Sequence, residues 1–234
     1  MSVRVNKRQQ RLRRQVLHTW QQYAWPNTQP IYLALSGGVH SLSLLAVLAQ
    51  LRDTGAIAQP IQAYCLVTAE ARPQRAEVWA ETFKIPCHWV NADEATGSEL
   101  SALFKQPEQP GLWLSAESRE HVLMQFWHNL TEQGQLAGLP IKSQQGAHLW
   151  LRPFCTTRHT DIISFGRDVG LSPQDLASSP LNMAPAWQQL SEPQQENLWR
   201  ALAHLEPRTL ADSRWWLEEE KLKQNDALRS LWLD

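Results

Sequence analysis

Five short apolar runs, separated by stretches of helical periodicity, constrain this chain more than any other feature. Residues 31–35, 61–67, 87–90, 112–114 and 148–151 carry mostly apolar side chains between proline, glycine or polar residues. Runs of that length and kind read as strands buried in a sheet. Between them, apolar residues recur every three to four positions. Leu42, Leu45, Leu48 and Ala49 mark a helix ending before Gly55, and 73–83 reads as a second, with proline tolerated in its first turn. Val122, Leu123, Phe126 and Leu130 give one face to a helix over 117–130, and Ile162, Phe165 and Val169 do the same for 157–169. Strands alternating with helices predict an α/β fold, a mostly parallel sheet covered on both faces.

Helices flank that core. Leu12, Val16, Trp20 and Tyr23 share one face of a helix over 6–23, whose opening is basic: Arg4, Lys7, Arg8, Arg11, Arg13 and Arg14, with no acid before Asp53. The expected organisation is a single domain over 1–234, with a basic amino-terminal helix (1–25), an α/β core (28–172) and carboxy-terminal helices (185–234), the latter over 193–205 and 209–228. The polar stretch 91–110 carries at most a short helix at 99–104. Residues 134–146 read as a loop, and Pro173, Pro180 and Pro185 punctuate a linker.

The 22 basic and 23 acidic side chains leave a net charge of −1, which excludes a uniformly basic nucleic-acid-binding surface but not a local patch. No segment approaches the ~18 apolar residues of a membrane span, so no membrane partner is expected. Cys65, Cys87 and Cys155 form no CxxC pair, which reads as a reducing, cytoplasmic setting. His121 and His128 stand two turns apart on one helix, too far to share a metal, and no metal site is expected.

The strongest local feature follows the first strand: Leu35-Ser36-Gly37-Gly38-Val39-His40-Ser41. Paired glycines permit a tight turn and leave no Cβ in front of the amides. The helix start beyond them favours an anion, and Ser36 and Ser41 add hydroxyls. A phosphate at the carboxyl edge of the sheet is the expected ligand of Ser36, Gly37, Gly38, His40 and Ser41. The third glycine of a dinucleotide fingerprint and the Gly-Lys-Ser of a Walker loop are both missing. A glycine turn with a serine cap explains the same residues without any ligand.

Ser36 to Ser41 resembles the pyrophosphatase loop (PP-loop) of the N-type ATP pyrophosphatases, S-G-G-x-D-S. Gly138-Leu139-Pro140, Leu151-Arg152-Pro153-Phe154 and Asp161-Ile162-Ile163-Ser164-Phe165 follow in the order of segments typical of the tRNA 2-thiocytidine synthetases, and the tail from Trp187 through Asp212 is also similar. The resemblance covers roughly residues 12–215. It implies a Rossmann-like PP-loop domain with sheet order 3-2-1-4-5, ATP on the loop, adenylation of a tRNA base, and an iron–sulphur cluster held by two CxxC motifs.

The chain departs from that pattern in three places. His40 replaces the aspartate expected to help hold magnesium, leaving that ion without its carboxylate. Both CxxC motifs are missing, from 91–110 and from 172–179, so no iron–sulphur cluster is expected and cluster-dependent thiolation by this chain alone is not. The acidic segment after the fourth strand becomes Ser115-Ala116-Glu117-Ser118-Arg119-Glu120, in which only Glu120 keeps an acid of the pattern.

Glu117, Arg119 and Glu120 then stand at the ligand-binding edge, as pocket lining or as an ordinary helix start. Arg152, directly after a buried strand, must find an anion or a carbonyl, and Asp161 reads as a helix cap. The basic helix suits a tRNA backbone or an acidic protein partner, a family member among them, or is simply the solvated face of a helix. Glu218, Glu219 and Glu220 would repel RNA locally, and Trp215 and Trp216 read as interface or core anchors. Three functions fit: a diverged nucleotide-binding protein of tRNA modification, a catalytically dead protein-interaction module whose partner is a family member or a second copy, and an adenylating enzyme with non-thiolation chemistry.

Overall fold

The computed structural model describes residues 7–22, 29–67, 74–91, 103, 106–107, 109–133, 138–177 and 190–205. In chain order these form α1 (Lys7–Gln22), β1 (Ile31–Ala34), α2 (Val39–Asp53), β2 (Ile61–Val67), α3 (Gln74–Thr82), β3 (Cys87–Asn91), β4 (Leu112–Leu114), α4 (Arg119–Gln133), β5 (Lys142–Gln145), β6 (His148–Leu151), α5 (His159–Asp168), α6 (Pro173–Ala177) and α7 (Glu192–Leu205). The sheet runs β3-β2-β1-β4-β6-β5. The first five strands of that order are parallel and β5 pairs antiparallel with β6. This is the α/β, Rossmann-like PP-loop arrangement, and the sequence-expected fifth strand sits beside β4 as β6.

Two elements differ from the sequence reading. Residues 142–145, expected as loop, form the edge strand β5: its polar side chains need no buried face, and it is held by pairing Gln145 with His148 across Gly146, which adopts φ 57°. The start of the expected linker is the short helix α6. Ser172 and Asp175 cap it reciprocally: the Ser172 amide donates to the Asp175 carboxylate at 2.9 Å, and the Asp175 amide to Ser172 Oγ at 3.2 Å. Of the expected helix at 99–104 only Leu103 is described, helical and buried; the expected helix at 209–228, Pro180, Pro185, and Trp215, Trp216 and Glu218 to Glu220 lie outside the described residues.

The two faces of the sheet are built differently. On one, α2 is buried along nearly its whole length, because its sequence is apolar almost all round. It packs against α5, and α1 lies on both through Leu12, Val16 and Trp20. On the other face, register aligns Tyr32 with Trp113, Trp113 with Trp150, and Tyr64 with His88. Their rings meet in sequence: His88 stacks on Tyr64 at 4.9 Å, Tyr64 meets Tyr32 edge-on at 5.6 Å, and Trp113 stacks on Trp150 at 5.7 Å. Gly111 makes room for this ladder, since a Cβ there would fall 2.2 Å from the Tyr32 ring. None of the seven described tryptophans is exposed. Among the described residues no helix is long and apolar enough to cross a membrane.

Candidate functional site

The sheet order reverses direction between β1 and β4, and in open α/β sheets ligands bind at such a switch point, outside the carboxyl ends of the strands. A cavity of about 320 Å³ lies there. Ser36, Gly38, His40 and Ser41 line it from the loop after β1, Ser115, Glu117 and His121 from the segment after β4, and Tyr64 and Trp150 from the aromatic ladder.

The loop geometry follows from its glycines. Gly37 takes φ 78°, the left-handed region that side chains resist, whereas Gly38 is extended at φ −77° and ψ 159° and begins α2. Conformational demand therefore rests on Gly37. The two serines close the turn: Ser36 Oγ and Ser41 Oγ lie 3.1 Å apart, and Ser41 Oγ donates to the Gly38 carbonyl at 3.0 Å.

Three imidazoles converge beside the loop. His40 opens α2, His121 lies in the first turn of α4 and His159 begins α5, so the three helices that follow β1, β4 and β6 each deliver one. His40 Nε2 and His159 Nδ1 share a hydrogen bond of 2.5 Å, and the His40 and His121 rings meet edge-on at 5.2 Å. Burial, reinforced by the two neighbouring imidazoles, pushes the His40 pKa down to about 3. Burial also lowers His121 and His159, against the opposing pull of nearby carboxylates, Glu117 and Glu120 for His121 and Glu120 for His159. The cluster is neutral at pH 7. Nδ1 of His121 accepts the Ser118 amide at 3.2 Å, which leaves the ring proton on Nε2.

Along the sequence His121 has only His128 as a histidine neighbour on its own helix, and nothing local links it to His159. The available signal was positional: residues just after neighbouring parallel strands meet at one edge.

The other expected site residues separate. Glu117 lines the cavity, accepts the Ser115 hydroxyl, and lies 3.8 Å from Arg152 Nε. Glu120 turns away to accept the amide of His159 at 2.8 Å, capping α5. Arg119 reaches Glu196 on α7 at 3.0 Å and stands over the Trp199 ring. Arg152 donates to the Pro140 carbonyl at 2.9 Å and to Ser143 Oγ at 3.1 Å. It thus ties the 138–140 segment to the end of β6, so two of the sequence motifs are joined by a structural bond rather than by a ligand. Asp161 lies 3.8 Å from Arg11 and makes no cap. Arg13 donates to Thr54 Oγ1, while Arg11 and Arg14 are exposed; Arg4 and the side chains of Lys7 and Arg8 lie outside the description.

Neither metal group implied by the fold fits these residues. Among the described residues no group of three His, Cys, Asp or Glu side chains is arranged to hold a metal ion. Two nitrogens on one tetrahedral zinc, each about 2.0–2.1 Å from it, stand roughly 3.3 Å apart; His40 and His159 face each other too closely and bond directly. Magnesium prefers oxygen, and position 40 offers nitrogen. Cys65 and Cys87 lie 3.2 Å apart on β2 and β3, while Cys155, its thiol pushed up to about 12 by burial, sits in a separate core cluster. The chain's three cysteines supply no four-sulphur set.

No family profile matches the sequence. A tRNA-cytidine(32) 2-sulfurtransferase of Xylella fastidiosa (strain M12) is 26% identical, with 78% of this chain and 72% of the relative covered. Among solved structures, a U34-tRNA thiolase of Methanococcus maripaludis, determined with its [4Fe-4S] cluster, has TM-score 0.55 at 15% identity, covering 86% of this chain and 74% of that one. An NMN synthetase of Francisella tularensis has TM-score 0.51 at 13% identity, covering 85% and 94%. The structural likenesses show a shared fold. Together with the sequence relatives they make a distant but recurring link to the PP-loop and tRNA-thiolase superfamily.

Proposed function

We propose that this chain is a diverged PP-loop protein that binds an adenine nucleotide at Ser36–Ser41 and acts in or beside tRNA modification, without cluster-dependent thiolation of its own. The observation carrying this reading is the placement of the two-glycine turn: its left-handed Gly37 and serine pair open onto a cavity at the switch point of the sheet. The sulfurtransferase relative supplies the tRNA association, and the missing cysteine motifs remove the cluster.

A ligand that binds only the folded state raises the melting temperature, so adenine nucleotides should stabilise the protein thermally. Gly37→Val forces a β-branched residue into the left-handed region at roughly 1–2 kcal/mol or more and should abolish that stabilisation. A variant that melts lower but is still stabilised as much as the parent by nucleotide would remove the loop from the site.

The replacement of an acid by His40 favours a second reading, a catalytically dead module that binds another protein through the retained fold. Complete lack of nucleotide stabilisation in the parent would select it.

A further inference from the structure

We infer that the cavity takes a nucleoside monophosphate without a divalent cation, rather than a magnesium–triphosphate complex; this rests on the nucleotide reading above. Charge favours the monophosphate. Among the described residues lining the cavity there is no lysine or arginine, and the one acid is Glu117. The two arginines placed nearby in sequence are committed elsewhere: Arg119 to Glu196, and Arg152 to Pro140, Ser143 and the neighbourhood of Glu117. Apart from Glu117, whose carboxylate is engaged by Ser115, the described groups that face the ligand are neutral: two serine hydroxyls, backbone at a helix start, and imidazoles whose burial keeps them uncharged.

A phosphomonoester carries about −1.5 to −2 charges at pH 7, which hydroxyls, amides and one helix dipole can accommodate. A triphosphate adds two further anionic groups and ordinarily brings magnesium to offset them. Here the carboxylate that would hold that ion is replaced by His40, bonded to His159, and Glu117 already accepts the Ser115 hydroxyl. The volume agrees, since about 320 Å³ lies at the small end of the ~300–1,000 Å³ range of ligand pockets.

The geometry also names a donor. With Nδ1 of His121 occupied by the Ser118 amide, its Nε2–H is the one fixed side-chain N–H among the described lining residues whose tautomer is set by the backbone. It supplies the hydrogen bond to the phosphate that a cation supplies elsewhere.

The test is calorimetric titration of the full chain with adenosine, AMP and ATP, in magnesium and in EDTA. AMP should bind at least about tenfold more tightly than adenosine or ATP, a difference of about 1.4 kcal/mol, and equally well in both buffers. His121→Ala should lose about tenfold in AMP affinity and His121→Gln, which keeps an N–H donor, should recover most of it. Tight binding of ATP only with magnesium would overturn the inference and leave the nucleotide reading standing. Adenosine binding as tightly as AMP, or a His121→Ala protein binding AMP as the parent does, would overturn the phosphate assignment. No binding of any nucleotide in either buffer would overturn the nucleotide reading and this inference with it.

Discussion

His40 stands where the PP-loop pattern has an aspartate, and its surroundings set its chemistry. It is 6% exposed and held against His121 and His159, with Glu117 and Glu120 the carboxylates nearest the cluster. In the unfolded chain these imidazoles take up protons near pH 6.5; in the folded protein His40 resists until about pH 3. The unfolded state therefore binds more protons across that window, and stability falls as pH falls through it. One such site contributes a slope approaching ~1.4 kcal/mol per pH unit, and the lowered values of the other two histidines act in the same direction. The urea midpoint should drop between pH 7 and pH 4.5, and drop less in His40→Gln, which cannot titrate. A midpoint that holds or rises over that range would contradict the buried neutral cluster. None of this was legible at residue 40 alone, because its partners lie 81 and 119 positions away along the chain and only the parallel topology brings them together.

Elements were read from the sequence more easily than sites, for a physical reason. Each central strand is an uninterrupted apolar run and α5 has a clear apolar face, so local pattern and tertiary burial agree. β5 was hidden because an edge strand can be polar, and α6 because its existence depends on a two-residue cap. The amino-terminal helix shows the same divide. Its apolar face, Leu12, Val16 and Trp20, is buried as the spacing required, but the spacing could not say which arginines stay available. Arg13 donates to Thr54, whereas Arg14 is exposed and Arg11, also exposed, lies 3.8 Å from Asp161. If α1 follows a tRNA backbone, replacing Arg11 and Arg14 by alanine should weaken tRNA binding uniformly and reduce the salt slope by about one per lost phosphate contact. An unchanged slope in a filter-binding series over salt would assign the helix to a protein partner.

At the scale of the molecule, one sheet serves two ends. Its apolar face and the α1–α2–α5 layer hold the fold. Its aromatic face carries the ladder from His88 to Trp150 up to the cavity, where the loop, the imidazoles and Glu117 meet. The PP-loop fold is retained, while His40 stands where the loop pattern has an aspartate and the sequence carries no CxxC motif. On the reading proposed above, the retained loop and cavity still seat a nucleotide. Crystals of the protein grown with AMP test it most directly. Electron density is expected with the phosphate against Ser36, Ser41 and the start of α2, within hydrogen-bond reach of His121 Nε2, and the base towards Tyr64 and Trp150. Density for AMP elsewhere on the molecule, or an unliganded loop at saturating AMP, would contradict it.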